Sequence, residues 1–167
     1  MAYSAFINRS GLLERQYPYQ RTAKASIEAG MAVATAAADG AGNTEIPLVA
    51  GTVVPVEWRF ADVKQYDEIT EDETDSYSYA IGDLLYSLDP TTNDLYNVYI
   101  DNPGAELVLT GDGSEILQLS GATDGAFIVA AATDATTVVG TRPLIVAEAK
   151  TIAAASTGRV VARFVNV

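Results

Sequence analysis

The chain contains no cysteine and no histidine. Disulfides, thiolate nucleophiles, the usual structural zinc sites, histidine-based triads and imidazole metal sites are thereby excluded. Lack of cysteine fits any compartment and assigns none. Long apolar runs are missing too: the longest purely apolar stretch is 126–132, against the about 20 residues a membrane helix needs. The opening MAYSAFINRSGLL has no apolar core behind a basic start, so no secretory signal is expected. Basic residues are scarce. Lys and Arg number 10 against 22 Asp and Glu, a net charge of −12. Such a body repels nucleic acid and anionic membranes, so neither is an expected partner.

Catalytic signatures are also absent. There is no Walker pattern, and Gly40-Ala41-Gly42 and Gly111-Asp112-Gly113 both lack the third glycine and following helix of a dinucleotide loop. No serine sits in a G-x-S-x-G context or three residues before a lysine. Some pair of carboxylates must lie close in space, but nothing singles one out for hydrolase chemistry. The expectation is a protein that is not an enzyme, with no catalytic residue, cofactor or metal. Asn8-Arg9-Ser10 matches a glycosylation sequon, which without a signal peptide is read as chance.

What is present is a rhythm of short strands. The 167 residues, 49% of them hydrophobic, suit one domain, or a domain plus an arm, with a real core. Much of that fraction is alanine, so the core is expected to be thin, spread between sheets, or completed by neighbouring subunits. Residues 52–60 read TVVPVEWRF, with Val54, Val56, Trp58 and Phe60 on one parity and Glu57 and Arg59 on the other. Alternation places these on opposite faces of a strand, one apolar and one charged and wet. Pro55 points to an edge or a bulge. Residues 26–34 alternate similarly, and 46–50 suit a short strand.

Farther along, 76–88 is tyrosine-rich and β-prone, with Gly82-Asp83 as a turn or bulge. The turn signal DPTTND at 89–94 predicts a hairpin between 84–88 and 95–100. Gly111-Asp112-Gly113 predicts a second, between 106–110 and 115–120. Residues 127–132 suit a strand covered on both faces or a short buried helix. Residues 144–147 are strand-like, 147–155 (AEAKTIAAA) is the best helix candidate, stopped by Gly158, and 159–167 alternates as a closing strand. No internal repeat is visible. Turn signals every eight to twelve residues or so indicate an all-β fold. The expected architecture is a compact sandwich or barrel of short antiparallel strands with an extended N-terminal arm.

Charge divides the chain. In residues 1–25, Arg9, Arg15, Arg21 and Lys24 stand against Glu14, giving +3; the remaining six bases and 21 acids give −15. The same stretch holds Tyr3, Phe6, Leu12, Leu13, Tyr17 and Tyr19, and Pro18 favours an extended path. It reads as a basic, aromatic arm able to lie across an acidic neighbour, with 26–167 as one acidic body. Residues 62–75 carry seven carboxylates and one lysine. The glycine-enforced turn of an EF-hand is missing, so a solvated loop is expected, with docking of a basic arm as the functional reading.

Four segments together resemble a known family. They are KASIEAGMAV at 24–33, AIGDLLY at 80–86, PLIVAEA at 143–149 and GRVVARFV at 158–165. Their order is similar to the small β-rich capsid decoration, or cement, proteins of tailed bacteriophages. The resemblance implies a non-catalytic virion protein on the outer capsid surface. It would be present in many copies, bound to the major capsid protein and to itself as a homo-oligomer, the trimer favoured, and would brace the shell against packed DNA. In that reading Arg9, Arg15, Tyr17, Tyr19 and Arg21 contact the shell or a neighbouring copy. The alternative is a head-fibre or carbohydrate-binding module, since exposed tyrosines stack on sugars.

Overall fold

The computed structural model describes residues 6–7, 19–36, 44–48, 58–62, 78–89, 95–130 and 144–164. These form strands with no helix, and so none long and apolar enough to cross a membrane. The strands are β1 (Phe6–Ile7), β2 (Tyr19–Ala23), β3 (Ile27–Glu28), β4 (Ala32–Thr35), β5 (Thr44–Pro47), β6 (Arg59–Ala61), β7 (Ser78–Tyr79), β8 (Leu84–Leu88), β9 (Leu95–Asn102), β10 (Leu107–Leu109), β11 (Ile116–Leu119), β12 (Phe127–Val129), β13 (Leu144–Val146), β14 (Lys150–Ile152) and β15 (Ser156–Phe164).

They close into two rings. The first is a barrel in the order β2-β5-β4-β6-β8, with β8 returning to β2. The second runs β9-β12-β11-β13-β15, with β15 returning to β9. In each ring one contact is parallel, β2 with β5 and β9 with β12, and the others are antiparallel. Each ring has a two-stranded ribbon, β3–β7 or β10–β14. Every strand from β2 to β8 therefore has a counterpart seven places later. The chain repeats its architecture although its residues show no repeat.

Backbone hydrogen bonds fix the correspondence. Ala61 N donates to Met31 O (2.9 Å) as Val146 N does to Glu115 O (3.0 Å). Asp62 N donates to Tyr86 O as Ala147 N does to Val161 O, both at 2.8 Å. Ala36 N to Thr44 O (3.0 Å) matches Ser120 N to Ala126 O (2.8 Å), and Leu48 N to Ala32 O (2.9 Å) matches Ala130 N to Ile116 O (2.7 Å). The same alignment carries the pair Thr22↔Leu84 onto Tyr99↔Arg159, and Ala32↔Phe60 onto Ile116↔Ile145.

The larger core belongs to the second barrel. Tyr96, Val98, Ile100, Leu117, Phe127, Leu144, Val146, Val160, Ala162 and Phe164 pack together, and the first barrel adds Ala32, Leu48, Trp58 and Phe60 to them. Phe60 stacks on Tyr96 with ring centroids 4.5 Å apart, and Trp58 meets Phe60 edge-on at 4.8 Å. Burying each large side chain here contributes about 1.5–3 kcal/mol, with about 0.5–1.5 kcal/mol more per aromatic pair. A smaller cluster, including Ala23, Ile27, Val33, Ala61, Tyr79 and Leu85, fills the first barrel.

Several expectations are corrected. Arg59, placed on a wet face, is buried. Its strand is covered twice: Phe60 faces the second barrel, while Ala61, on the parity of Arg59, packs inside the first. The hairpin expected between 84–88 and 95–100 does not form, because β8 and β9 belong to different barrels. Nor do β10 and β11 pair across Gly111-Asp112-Gly113; β10 pairs with β14, and β11 with β12 and β13. The helix expected at 147–155 is instead a bend, β14 and a turn that leads into β15, since ladder bonds to β10 override alanine's helix propensity. The strand expected over 26–34 is split at Gly30, whose φ of +90° bends the chain between β3 and β4. β2 carries Tyr19–Ala23, part of the expected arm, into the first barrel wall, and β1 pairs with β9. Residues 52–57 and 63–75, and the rest of 1–18, lie outside the described residues.

Candidate functional site

Of the five residues expected to touch a partner, Arg9, Arg15 and Tyr17 lie outside the described residues. Tyr19 and Arg21 are on β2, opposite Ser87 and Leu85 of β8. Arg21 is half-buried, and its Nη1 donates to Thr35 Oγ1 at 3.3 Å. Nη2 of Arg59 donates to the same oxygen at 2.9 Å. The fold thus joins Arg21 to a buried arginine that sequence reasoning had assigned to solvent.

Beside the aromatic packing of Trp58 and Phe60, backbone hydrogen bonds join the two barrels. Tyr99 N donates to Gly30 O (3.0 Å), Ala32 N to Gly125 O (2.8 Å) and Gly125 N to Leu48 O (2.8 Å). Gly30 lies so close to β9 that a Cβ would stand 2.5 Å from Asn97 O and 2.7 Å from Tyr99 N. Arg159 of β15 locks this contact. Its Nη2 meets Glu28 Oε2 at 2.9 Å, its Nε donates to Ala29 O at 2.9 Å, and its guanidinium lies 5.4 Å from the Tyr99 ring centroid. Ser78 Oγ donates to the other Glu28 oxygen at 2.5 Å. Charge-assisted bonds of this kind are roughly twice as strong as neutral ones.

A cleft of ≈ 260 Å³ adjoins the loop between β10 and β11, with Leu95, Asp112, Val146 and Arg163 in its wall. Ser114 donates its hydroxyl (2.6 Å) and its N–H (2.9 Å) to Asp112 Oδ1, which holds that carboxyl below its ordinary range. Burial raises the neighbouring Glu115 carboxyl, but bonds from the Thr110 hydroxyl (2.7 Å) and N–H (2.6 Å) outweigh it, and the net shift is downward. Both acids are ionised at neutral pH and spent on shaping the loop. Neither has the raised pKa that would suit a general acid. Among the described residues no group of three or more carboxylates converges as a metal site would require. Tyr79, whose phenol burial pushes far above its ordinary range, donates to Asp62 O at 2.7 Å and holds β7 to the end of β6.

Sequence reasoning named no exposed apolar side chain, yet among the described residues three large ones stand out to solvent: Ile81 (73% exposed), Val108 (63%) and Leu84 (49%). Parity in 107–109 could have found one of them, since Leu107 and Leu109 turn inward and leave Val108 alone outside. Compared with known proteins, the chain matches no family model and no curated protein.

Proposed function

We propose that the chain is a structural virion protein that decorates the outer surface of a phage capsid, binding the major capsid protein and neighbouring copies of itself. The observation that carries this reading is the charge division. A basic, aromatic N-terminal stretch is threaded through β1 and β2 onto an acidic pair of barrels. Such a stretch can engage acidic ground on a shell or on another copy, and many weak contacts repeated by symmetry give avidity without one tight site. The four segments that resemble decoration proteins agree with it. Among the described residues the titratable groups with shifted pKa values serve loop and strand contacts, which suits a protein working by its surfaces.

The test is copy number in purified particles, by densitometry against the major shell protein. A fixed simple ratio to that protein is the expected result. A handful of copies would point to a fibre position, and absence from particles would reject the reading. Because β2 is part of the first barrel, removing residues 1–25 would delete a barrel strand. Partner contact is better tested by Arg9→Glu with Arg15→Glu, expected to weaken co-sedimentation with empty shells while the urea midpoint stays unchanged.

A further inference from the structure

The repeated architecture allows the junction inside the chain to be compared with the equivalent face of each barrel that the junction does not use. At the junction, the β3–β7 ribbon and the outer face of the first barrel meet the second barrel, with Glu28 on Arg159 and with Ala32 and Phe60 packed into the larger core. Register gives each of these a counterpart. The ribbon pair Glu28↔Ser78 corresponds to Val108↔Thr151, as Ile27↔Tyr79 does to Leu107↔Ile152. Ala32 and Phe60 correspond to Ile116 and Ile145, and the receiving pair Tyr99↔Arg159 to Thr22↔Leu84.

The chemistry at these positions is informative. Where the junction holds an ion pair, the equivalent positions hold Val108 and Leu84, two of the three large exposed apolar side chains among the described residues, and Ile81, the third, is three residues from Leu84. Ile116 and Ile145 keep the apolar character of the face that the first barrel buries; both are partly buried, and Ile116 also packs against the larger core. One barrel therefore offers an apolar copy of the donor face, and the other an apolar copy of the receiving face.

We infer that copies of this chain associate head to tail. The face of the second barrel that carries Val108, Ile116 and Ile145 docks on the β2–β8 face of the first barrel of the next copy, around Leu84 and Ile81. The contact repeats the internal junction with the ion pair replaced by apolar side chains. Its backbone part is not repeated, because Thr22 already pairs with Thr44 where Tyr99 bonds to Gly30. Such a heterologous contact closes into a ring of alternating barrels or extends as a filament. The inference deepens the self-association in the proposed function.

Sedimentation velocity on the full chain over a concentration series tests it. Wild type is expected to associate reversibly, and Val108→Asp and Leu84→Asp each to weaken association about tenfold or more. Val108→Asp keeps an intact receiving face and Leu84→Asp an intact donor face, so an equal mixture gives a one-to-one heterodimer that does not grow. The double variant Val108→Glu, Leu84→Arg rebuilds the ion pair and restores association, now weakened by salt. Circular dichroism and the urea midpoint confirm that each variant is folded. A wild-type chain that stays monomeric, single variants that associate as wild type does, or a mixture without heterodimer overturns the inference. A monomeric chain that still binds shells would leave decoration standing, and a self-associating chain absent from particles would do the reverse.

Discussion

Gly30→Ala tests the junction between the barrels most directly. Two effects add at this position. A φ of +90° is disfavoured for a residue with a Cβ by about 1–2 kcal/mol. The new methyl would also stand 2.5 Å from Asn97 O and 2.7 Å from Tyr99 N, both backbone atoms of β9 that cannot rotate aside. Relieving that overlap moves the strand and stretches the 3.0 Å bond from Tyr99 N to Gly30 O. Overpacking costs about 1–3 kcal/mol and a weakened hydrogen bond about 1 kcal/mol, so with the conformational cost a loss of about 3–6 kcal/mol is expected. Gly82→Ala is the control. Gly82 has a φ of +92° but nothing within 4 Å of an added Cβ, so only the conformational cost applies, about 1–2 kcal/mol. Urea unfolding of both variants, with the slope m held in common, gives the difference. Hydrogen exchange at the Tyr99 amide should accelerate in Gly30→Ala and not in Gly82→Ala. Equal losses at the two sites would mean that β9 yields freely, and the account of the junction as a close backbone contact would be wrong.

Ala155, in the turn before β15, has a φ of +47° in the turn position that Gly82 holds before β8; Ala155→Gly is expected to raise stability by about 0.5 kcal/mol, and a lower urea midpoint would contradict the strain. Arg159→Met removes the bonds to Glu28 and Ala29 from a site only 20% exposed; a loss of about 1–3 kcal/mol is expected, and a double-mutant cycle with Glu28→Gln should show coupling that shrinks in salt. Glu115 has a folded pKa below its ordinary value, so its contribution is present above the unfolded pKa near 4.5 and is lost as pH falls through the folded one. Glu115→Gln should therefore flatten the acid limb of stability below that value, and an unchanged limb in urea titrations would refute the loop account.

Much of the strand layout was legible because alternation is local. The closing strand shows it in part: Val160, Ala162 and Phe164 are buried as their parity required, and Arg163 is exposed, but Val161 on the opposite parity is buried too. Partner choice was not legible. The turn signal at 89–94 predicts that neighbours in sequence pair, whereas each barrel closes its first strand on its last, β2 on β8 and β9 on β15. Local turn chemistry carries no information about such long-range ladders. Arg59 was misplaced for a related reason, since alternation assumes one wet face and a strand between two barrels has none. The repeat itself was hidden because several equivalent positions hold different chemistry, as Glu28 and Val108 or Leu84 and Arg159 do. What they share is register, which only hydrogen bonds reveal. At the candidate contact surfaces Arg21 was named from charge alone; the parity of 107–109 was enough to mark Val108, while Leu84 became visible only once burial separated it from its inward-facing neighbour Leu85.

The closure of first strand on last also has a consequence for synthesis. A ribosome delivers β2 long before β8, and β9 long before β15, so neither ring can shut until its whole repeat has emerged. Non-local pairing of this kind folds slowly. At about 5–20 residues per second, the first ring is complete for some seconds before the second. During that interval Trp58 and Phe60 have no Tyr96, Phe127 or Phe164 to cover them, because those residues arrive with the second repeat. The nascent first barrel thus shows an aromatic face that a chaperone, or another nascent chain, would meet before its own second half does.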